Sequence, residues 1–255
     1  MRTKLRTVSF LFALCVLRSF AALRQPGNDP EQSVTVHIKI REGTKGENSS
    51  NRVLHVSDAS DVVVWLKPLD SPVADKPAVQ EPARRPQVIQ KNKSFHPHLT
   101  VVRVGSVVDF PNHDPFFHNV FSLFDGKRFD LGLYEAGATN SVRFDHPGVC
   151  YLFCNIHPEM SAIVMAVDTP YYGVSDKRGT VTIAGAPDGK YELHVWFERS
   201  MPEVLKGLTR NVHLSADSRD LGTIVVPEDP AFTPAHKNKY GQDYPPPPRQ
   251  GYPQP

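Results

Sequence analysis

The chain has 255 residues, the length of one large or two small domains, and 40 % of it is apolar, enough for a core. Its 29 lysines and arginines nearly balance 27 aspartates and glutamates, so charge gives no case for nucleic acid or an acidic membrane surface. Proline is frequent, at 24 residues, and helix-forming runs are scarce, which points to an all-β chain with many turns.

Residues 1–22 read as an export signal. Arg2, Lys4 and Arg6 make a basic start, an apolar run follows from Val8 to Leu17, and Ser19-Phe20-Ala21 with Ala22 supplies a small-residue cleavage site. The run is too short to span a bilayer, and no later segment is long and apolar enough to do so. Arg18, just after the run, departs from the usual pattern. Removing this segment takes away four basic residues and leaves 25 against 27 acidic ones. The expected location is the bacterial periplasm or the extracellular space.

After a polar lead-in, Ser33 to Ile40 alternates and reads as a strand. Residues 41–51 are a polar loop, Asp61 to Leu66 is a buried strand, and residues 68–87 are a Pro-rich, charged excursion. Short strands then follow at Leu99–Val104, Val107–Phe110, Asn119–Phe124, Ser141–Phe144, Val149–Cys154 and Ser161–Val167, each bounded by turn residues. That spacing predicts a Greek-key β-sandwich. A second β pattern covers Thr180–Ile183, Tyr191–Phe197, Asn211–Leu214 and Leu221–Val226. We place the boundaries at 33–169 for the first sandwich with an N-terminal β extension, and at 170–227 for the smaller one. Residues 228–255, with the run Tyr244-Pro245-Pro246-Pro247-Pro248, are read as an extended, unpacked tail.

Without its signal the chain keeps two cysteines, Cys150 and Cys154. On an extended segment they stand about 13 Å apart at about 3.3 Å per residue, and a disulfide needs Cα atoms within about 7 Å. An exported chain with two thiols that cannot pair directs attention to a metal. Cys154, His157 and Met160 put a thiolate, an imidazole and a thioether within seven residues, on a loop between two strands. Soft sulfur donors with imidazole suit copper in both oxidation states, whereas zinc gains little from a thioether. A further imidazole is available from His118, 36 residues upstream at the head of a β run.

A His118-Asn119 pair ahead of one strand, then Cys154-x2-His157-x2-Met160 after the last strands, resembles the cupredoxin family. The short ligand loop is most similar to that of amicyanin, and Gln90 to Thr169 resembles methylamine-utilisation-type cupredoxin proteins. The resemblance implies one type 1 copper ion, with His118, Cys154 and His157 as trigonal ligands and Met160 as the axial one. It also implies that Asn119 ties the ligand loop to the neighbouring strand. The implied activity is non-catalytic electron transport, with His157 reaching an apolar patch of Phe116, Phe117 and Pro158 where a redox protein docks transiently. Residues 170–227, through Asp188 to Leu193, resemble the transthyretin-like or carboxypeptidase-regulatory-like sandwich, a binding or structural module that could attach the chain to the cell envelope.

Other readings stand beside this one. A dinuclear copper centre would use Cys150 as well, but its pattern wants three residues between the second cysteine and the histidine, and this chain has two. His96-Pro97-His98 is the kind of element multicopper oxidases use, yet they need several; His98 reads as a core or hydrogen-bonded residue near the site. A copper carrier would expose Met- and His-rich runs, and the chain has four methionines. A plain β binding module needs no metal.

Overall fold

A computed structural model gives the fold and describes residues 33–41, 58–70, 84–123, 126–233 and 235–245. The expected export signal, much of the polar loop and of the Pro-rich excursion, and the prolines from Pro246 onward lie outside the described residues.

The chain is all-β, with several sheets. In order the strands are β1 (Val34–Arg41), β2 (Val63–Pro68), β3 (Ile89–Lys91), β4 (Ser94–His96), β5 (Leu99–Arg103), β6 (Val107–Pro111), β7 (His118–Ser122) and β8 (Phe129–Tyr134). They continue as β9 (Thr139–Arg143), β10 (Gly148–Phe153), β11 (Ser161–Val167), β12 (Tyr172–Val174), β13 (Thr180–Ile183) and β14 (Gly189–Trp196). A short helix α1 (Pro202–Gly207) precedes β15 (Arg210–Leu214) and β16 (Asp220–Pro227). The helix opens on a proline, which suits a first helical turn because its missing N–H would have no partner there.

The first sandwich packs the five-stranded sheet β5-β11-β10-β7-β8 against the pairs β6-β9 and β3-β4. Its core includes Phe95, Phe110, Val120, Phe144, Leu152 and Val164, with Cys150, Cys154 and Met160 in the same cluster. The second packs β13-β1-β16 over β12-β2-β14-β15. Period-two alternation builds it: Val34, Val36 and Ile38 of β1 and Tyr191, Leu193 and Val195 of β14 all face inward.

Strand pairing assigns β1 and β2 to the second sandwich, whereas the sequence reading attached them to the first. β1 runs antiparallel to β13 and parallel to β16, and β2 lies between β12 and β14. The first sandwich is therefore inserted between two pieces of the second. Periodicity tells which face of β1 and β2 is buried but not which strand lies beside it, and that is where the sequence reading failed.

Strand β11 joins the two sandwiches. Ala162, Val164 and Ala166 point into the first core, while Ile163, Met165 and Val167 point into a seam with Val63 and Leu99. Each fully buried side chain of this kind contributes about 1.5–3 kcal/mol relative to exposure. A buried strand of this sort reads as a continuous apolar run because both of its faces are covered. The His98 imidazole meets the Glu198 carboxylate across the same junction at 2.6 Å.

The meeting of β13 and β1 demands a glycine. Gly179 has φ +82, and a Cβ there would lie 2.2 Å from the Ile38 carbonyl oxygen, where β13 meets β1. Gly179→Ala is expected to cost at least about 2 kcal/mol, from left-handed strain and the clash together. Urea unfolding midpoints of the two proteins check this.

Candidate metal centre

The site is built by one hairpin and one strand. β10 and β11 pair from Gly148↔Ala166 to Phe153↔Ser161, leaving residues 154–160 as the connecting loop. Cys154 N–H donates to the Met160 carbonyl at 3.3 Å and Met160 N–H to the His157 carbonyl at 3.2 Å, which close the loop on itself. Phe153↔Phe121 pairing places β7 alongside β10 and so brings His118, its first residue, to the loop.

Cys154 Sγ lies 3.6 Å from His157 Nδ1 and 3.9 Å from His118 Nδ1. The three ligand atoms are all within 4.8 Å of one another, and among the described residues these three form a group able to hold a metal. Bonds of about 2.0 Å to nitrogen and about 2.3 Å to sulfur at trigonal or tetrahedral angles separate N and S by about 3.5–3.8 Å, so both sulfur–imidazole separations are close to those of a shared centre. His118, Cys154 and Met160 are fully buried, and His157 is half-buried. Met160 sits in the same buried cluster as Cys154, three residues beyond His157. A thiolate, two imidazoles and a nearby thioether fit copper better than a hard cation.

Sequence reasoning gave Asp114 no role, although it stands four residues before His118. Its Oδ2 accepts from His118 Nε2–H at 2.7 Å, and both partners are buried. The N–H groups of Asn92 and Lys93 donate to the same carboxylate at 2.6 and 2.9 Å. Burial pushes the Asp114 carboxyl up, but the bonds from Lys93, His118 and Asn92 outweigh it and hold it below the usual carboxylate range. An ionised Asp114 can only accept, so His118 carries its proton on Nε2 and presents the Nδ1 lone pair to the site. Asn112, also fully buried, shapes this approach: its amide donates to the Phe116 carbonyl and its Oδ1 accepts from Asp114 N–H. The signal in the sequence was an acidic residue beside histidines in a Pro-containing loop, which is also what an ordinary turn looks like.

Asn119 hydrogen-bonds to both the 154–160 loop and β8. Its Oδ1 accepts from Asn155 N–H at 3.3 Å, and its Nδ2 donates to Asp130 Oδ1 at 2.7 Å. Burial pushes the Cys154 thiol above its ordinary value, against backbone bonds from Ile156, Asn119 and His157 that favour the thiolate. Burial, with His118 and Lys93 nearby, pulls His157 down.

Phe116 meets the His118 ring edge-on at 5.1 Å and the His157 ring at 5.8 Å. Phe116, Phe117, Pro158 and also Ile156 are exposed.

Cys150 stands apart from the group. It is fully buried in β10, its thiol faces the Lys127 carbonyl at 3.3 Å, and burial pushes its pKa up to about 11. His98 is likewise outside the group, partly exposed and paired with Glu198. No helix among the described residues is long and apolar enough to cross a membrane.

No protein-family model matches the chain, and no curated protein sequence matches it. Among solved structures, a purple cupredoxin from Nitrosopumilus maritimus is 23 % identical with TM-score 0.30, over 32 % of this chain and 99 % of that one. A copper-containing nitrite reductase from Thermus scotoductus is 25 % identical with TM-score 0.33, over 39 % of this chain and 26 % of that one. A methionine-to-alanine variant of amicyanin in the Cu(I) form is 20 % identical with TM-score 0.32, over 41 % of this chain and 98 % of that one.

Proposed function

We propose that this chain binds one copper ion at His118, Cys154, His157 and Met160 in a type 1 arrangement and carries single electrons between redox partners outside the cytoplasm. The observation that carries the reading is the convergence of the Cys154 sulfur and two imidazole nitrogens within 4.8 Å, with Met160 at the end of the same loop and in the same buried cluster as Cys154. Copper would supply the one-electron couple. The chain's own residues would hold the donors fixed: Asp114 orients His118, Asn119 ties the loop to β7, and the Cys154–Met160 bond closes it. Donors that are already braced need little rearrangement between two charge states.

The reading is an electron carrier, because three of the four donor residues, His118, Cys154 and Met160, are buried away from solvent. Electrons would pass at the half-buried His157 edge, with Phe116, Phe117 and Pro158 as the docking patch for a transient redox partner. The second sandwich would serve as a mount, in line with an envelope attachment. Loading with Cu(II) followed by anaerobic one-electron titration tests this. One ion per chain should bind and stay bound through repeated cycles in the presence of a mild chelator. Loss of the metal on the first reduction would favour a copper store or delivery protein.

The titration of the donor residues gives a further expectation. A raised Cys154 pKa leaves the thiol protonated at pH 7, while a lowered His157 pKa leaves its imidazole already neutral. Metal binding at neutral pH should therefore release about one proton, from Cys154, and affinity should rise about tenfold per pH unit below the thiol pKa. Calorimetric titration in buffers of different ionisation enthalpy measures the proton count.

A further inference from the structure

The segment from Ala235 to Pro245 does not hang free, as its composition suggested; it packs on the ligand loop. Lys239 N–H donates to Asn155 Oδ1 at 3.1 Å, and the Lys239 ammonium donates to Asp130 Oδ2 at 2.7 Å. Asp130 Oδ1 accepts from Asn119 Nδ2, and Asn119 Oδ1 accepts from Asn155 N–H. These four bonds form a closed ring, Lys239–Asp130–Asn119–Asn155, that joins β7, β8, the ligand loop and the tail. Five residues on, the Tyr244 hydroxyl donates to the Cys154 carbonyl at 2.7 Å. Three residues before Lys239, His236 stacks on Phe153, the residue before Cys154, with ring centroids 4.0 Å apart. Asn238 holds the segment's own turn by accepting from the N–H groups of Tyr240 and Gln242.

We propose that residues 235–245 are a clasp that positions the Cys154–Met160 loop, with Lys239 and Tyr244 as its positioning residues. Its consequence for copper rests on the reading of the site given above, whereas the clasp itself rests on the contacts alone. The ring leaves both side-chain oxygens of Asp130 and the Asn119 and Asn155 carbonyl oxygens with donors, so removing one member leaves the others short of a partner. Tyr244 acts on the residue that supplies the sulfur, through its backbone and not through its thiol. The two contacts approach the loop from the tail side, opposite in sequence to the Asp114 brace on His118. The tail therefore belongs to the site although it lies 75 residues or more beyond the last of the four donor positions, Met160.

Two measurements, on full-length variants and on a chain shortened after Phe232, test this. Amide hydrogen exchange of the metal-free protein reads the loop. Tyr244→Phe should speed exchange at Asn155, Ile156 and His157 about fivefold, and Lys239→Ala should do the same, with Lys239→Arg restoring most of the protection. Removing everything after Phe232 should raise exchange there by on the order of a hundredfold, with β1 and β14 amides unchanged. After Cu(II) loading, Tyr244→Phe should also shift the thiolate-to-copper absorption band, which a merely structural contact elsewhere would not move. Loop exchange within twofold of the intact protein in both point variants and the shortened chain would overturn the clasp. If the intact protein gives no thiolate band, the copper reading fails, and the exchange comparison still decides the clasp.

Discussion

Asp114→Ala is expected to weaken copper binding about 10- to 100-fold and to lower the stability of the metal-free protein by about 3 kcal/mol. The carboxylate collects three donors in a buried place: His118 Nε2–H and the N–H groups of Asn92 and Lys93. Truncation leaves all of them without an acceptor, and each buried orphan costs about 1–3 kcal/mol, partly relieved by water entering the gap. It also frees His118 to turn or to move its proton to Nδ1, the atom that faces Cys154. Asp114→Asn should fall between, because one amide oxygen still accepts while the amide N–H₂ opposes the donors. Copper affinity by competition with a chelator, and unfolding of the apoprotein in urea, separate the two effects. An affinity within twofold of the intact protein would remove Asp114 from the site.

Cys154→Ser is expected to abolish the intense visible absorption of the copper-loaded protein, and Cys150→Ser to leave it in place. Cys150 lies within β10 and Cys154 just beyond its end, and the two serve different surroundings. Cys154 Sγ has two imidazole nitrogens within 4 Å, and Cys150 Sγ has the Lys127 carbonyl. A hydroxyl at position 154 is a poor copper donor, so the loss should be complete. A hydroxyl at position 150 can keep the bond to the Lys127 carbonyl, at a stability cost of about 1 kcal/mol for burying a more polar group. Loss of the band in Cys150→Ser would instead favour the dinuclear arrangement.

The strands were legible where alternation or a continuous apolar run made them so, as in Val34 to Ile38 or in β11. Less regular elements were missed for identifiable reasons. The β3–β4 hairpin turns through Asn92 and Lys93, both at positive φ, without the glycine that usually marks such a turn. In β8, Gly132 is at φ +69 and the pairing with β7 shifts register between Asn119 and Phe121, so no clean period appears. The partners of β1 and β2 were not legible, because pairing across more than a hundred residues leaves no local trace.

The donor residues were the most legible part of the site. Cys154, His157 and Met160 lie on one short loop, and His118 had a β run behind it to fix its place. What surrounds them was hidden by composition. Asp114 looks like a turn residue, and the tail looks like a polar spacer, because its contacts are made by single lysine, tyrosine and histidine side chains and follow no period. Hydrophobic patterning reports buried faces; it is silent on a hydrogen-bonded ring such as Lys239–Asp130–Asn119–Asn155.

The most direct measurement is the visible absorption spectrum of the oxidised protein after loading with one equivalent of Cu(II). A buried Cys154 thiolate bound to Cu(II) beside two imidazoles should give an intense charge-transfer band toward the red end, bleached by one electron per chain and restored on reoxidation. A colourless protein, or the faint band of copper held by nitrogen and oxygen alone, would contradict the account.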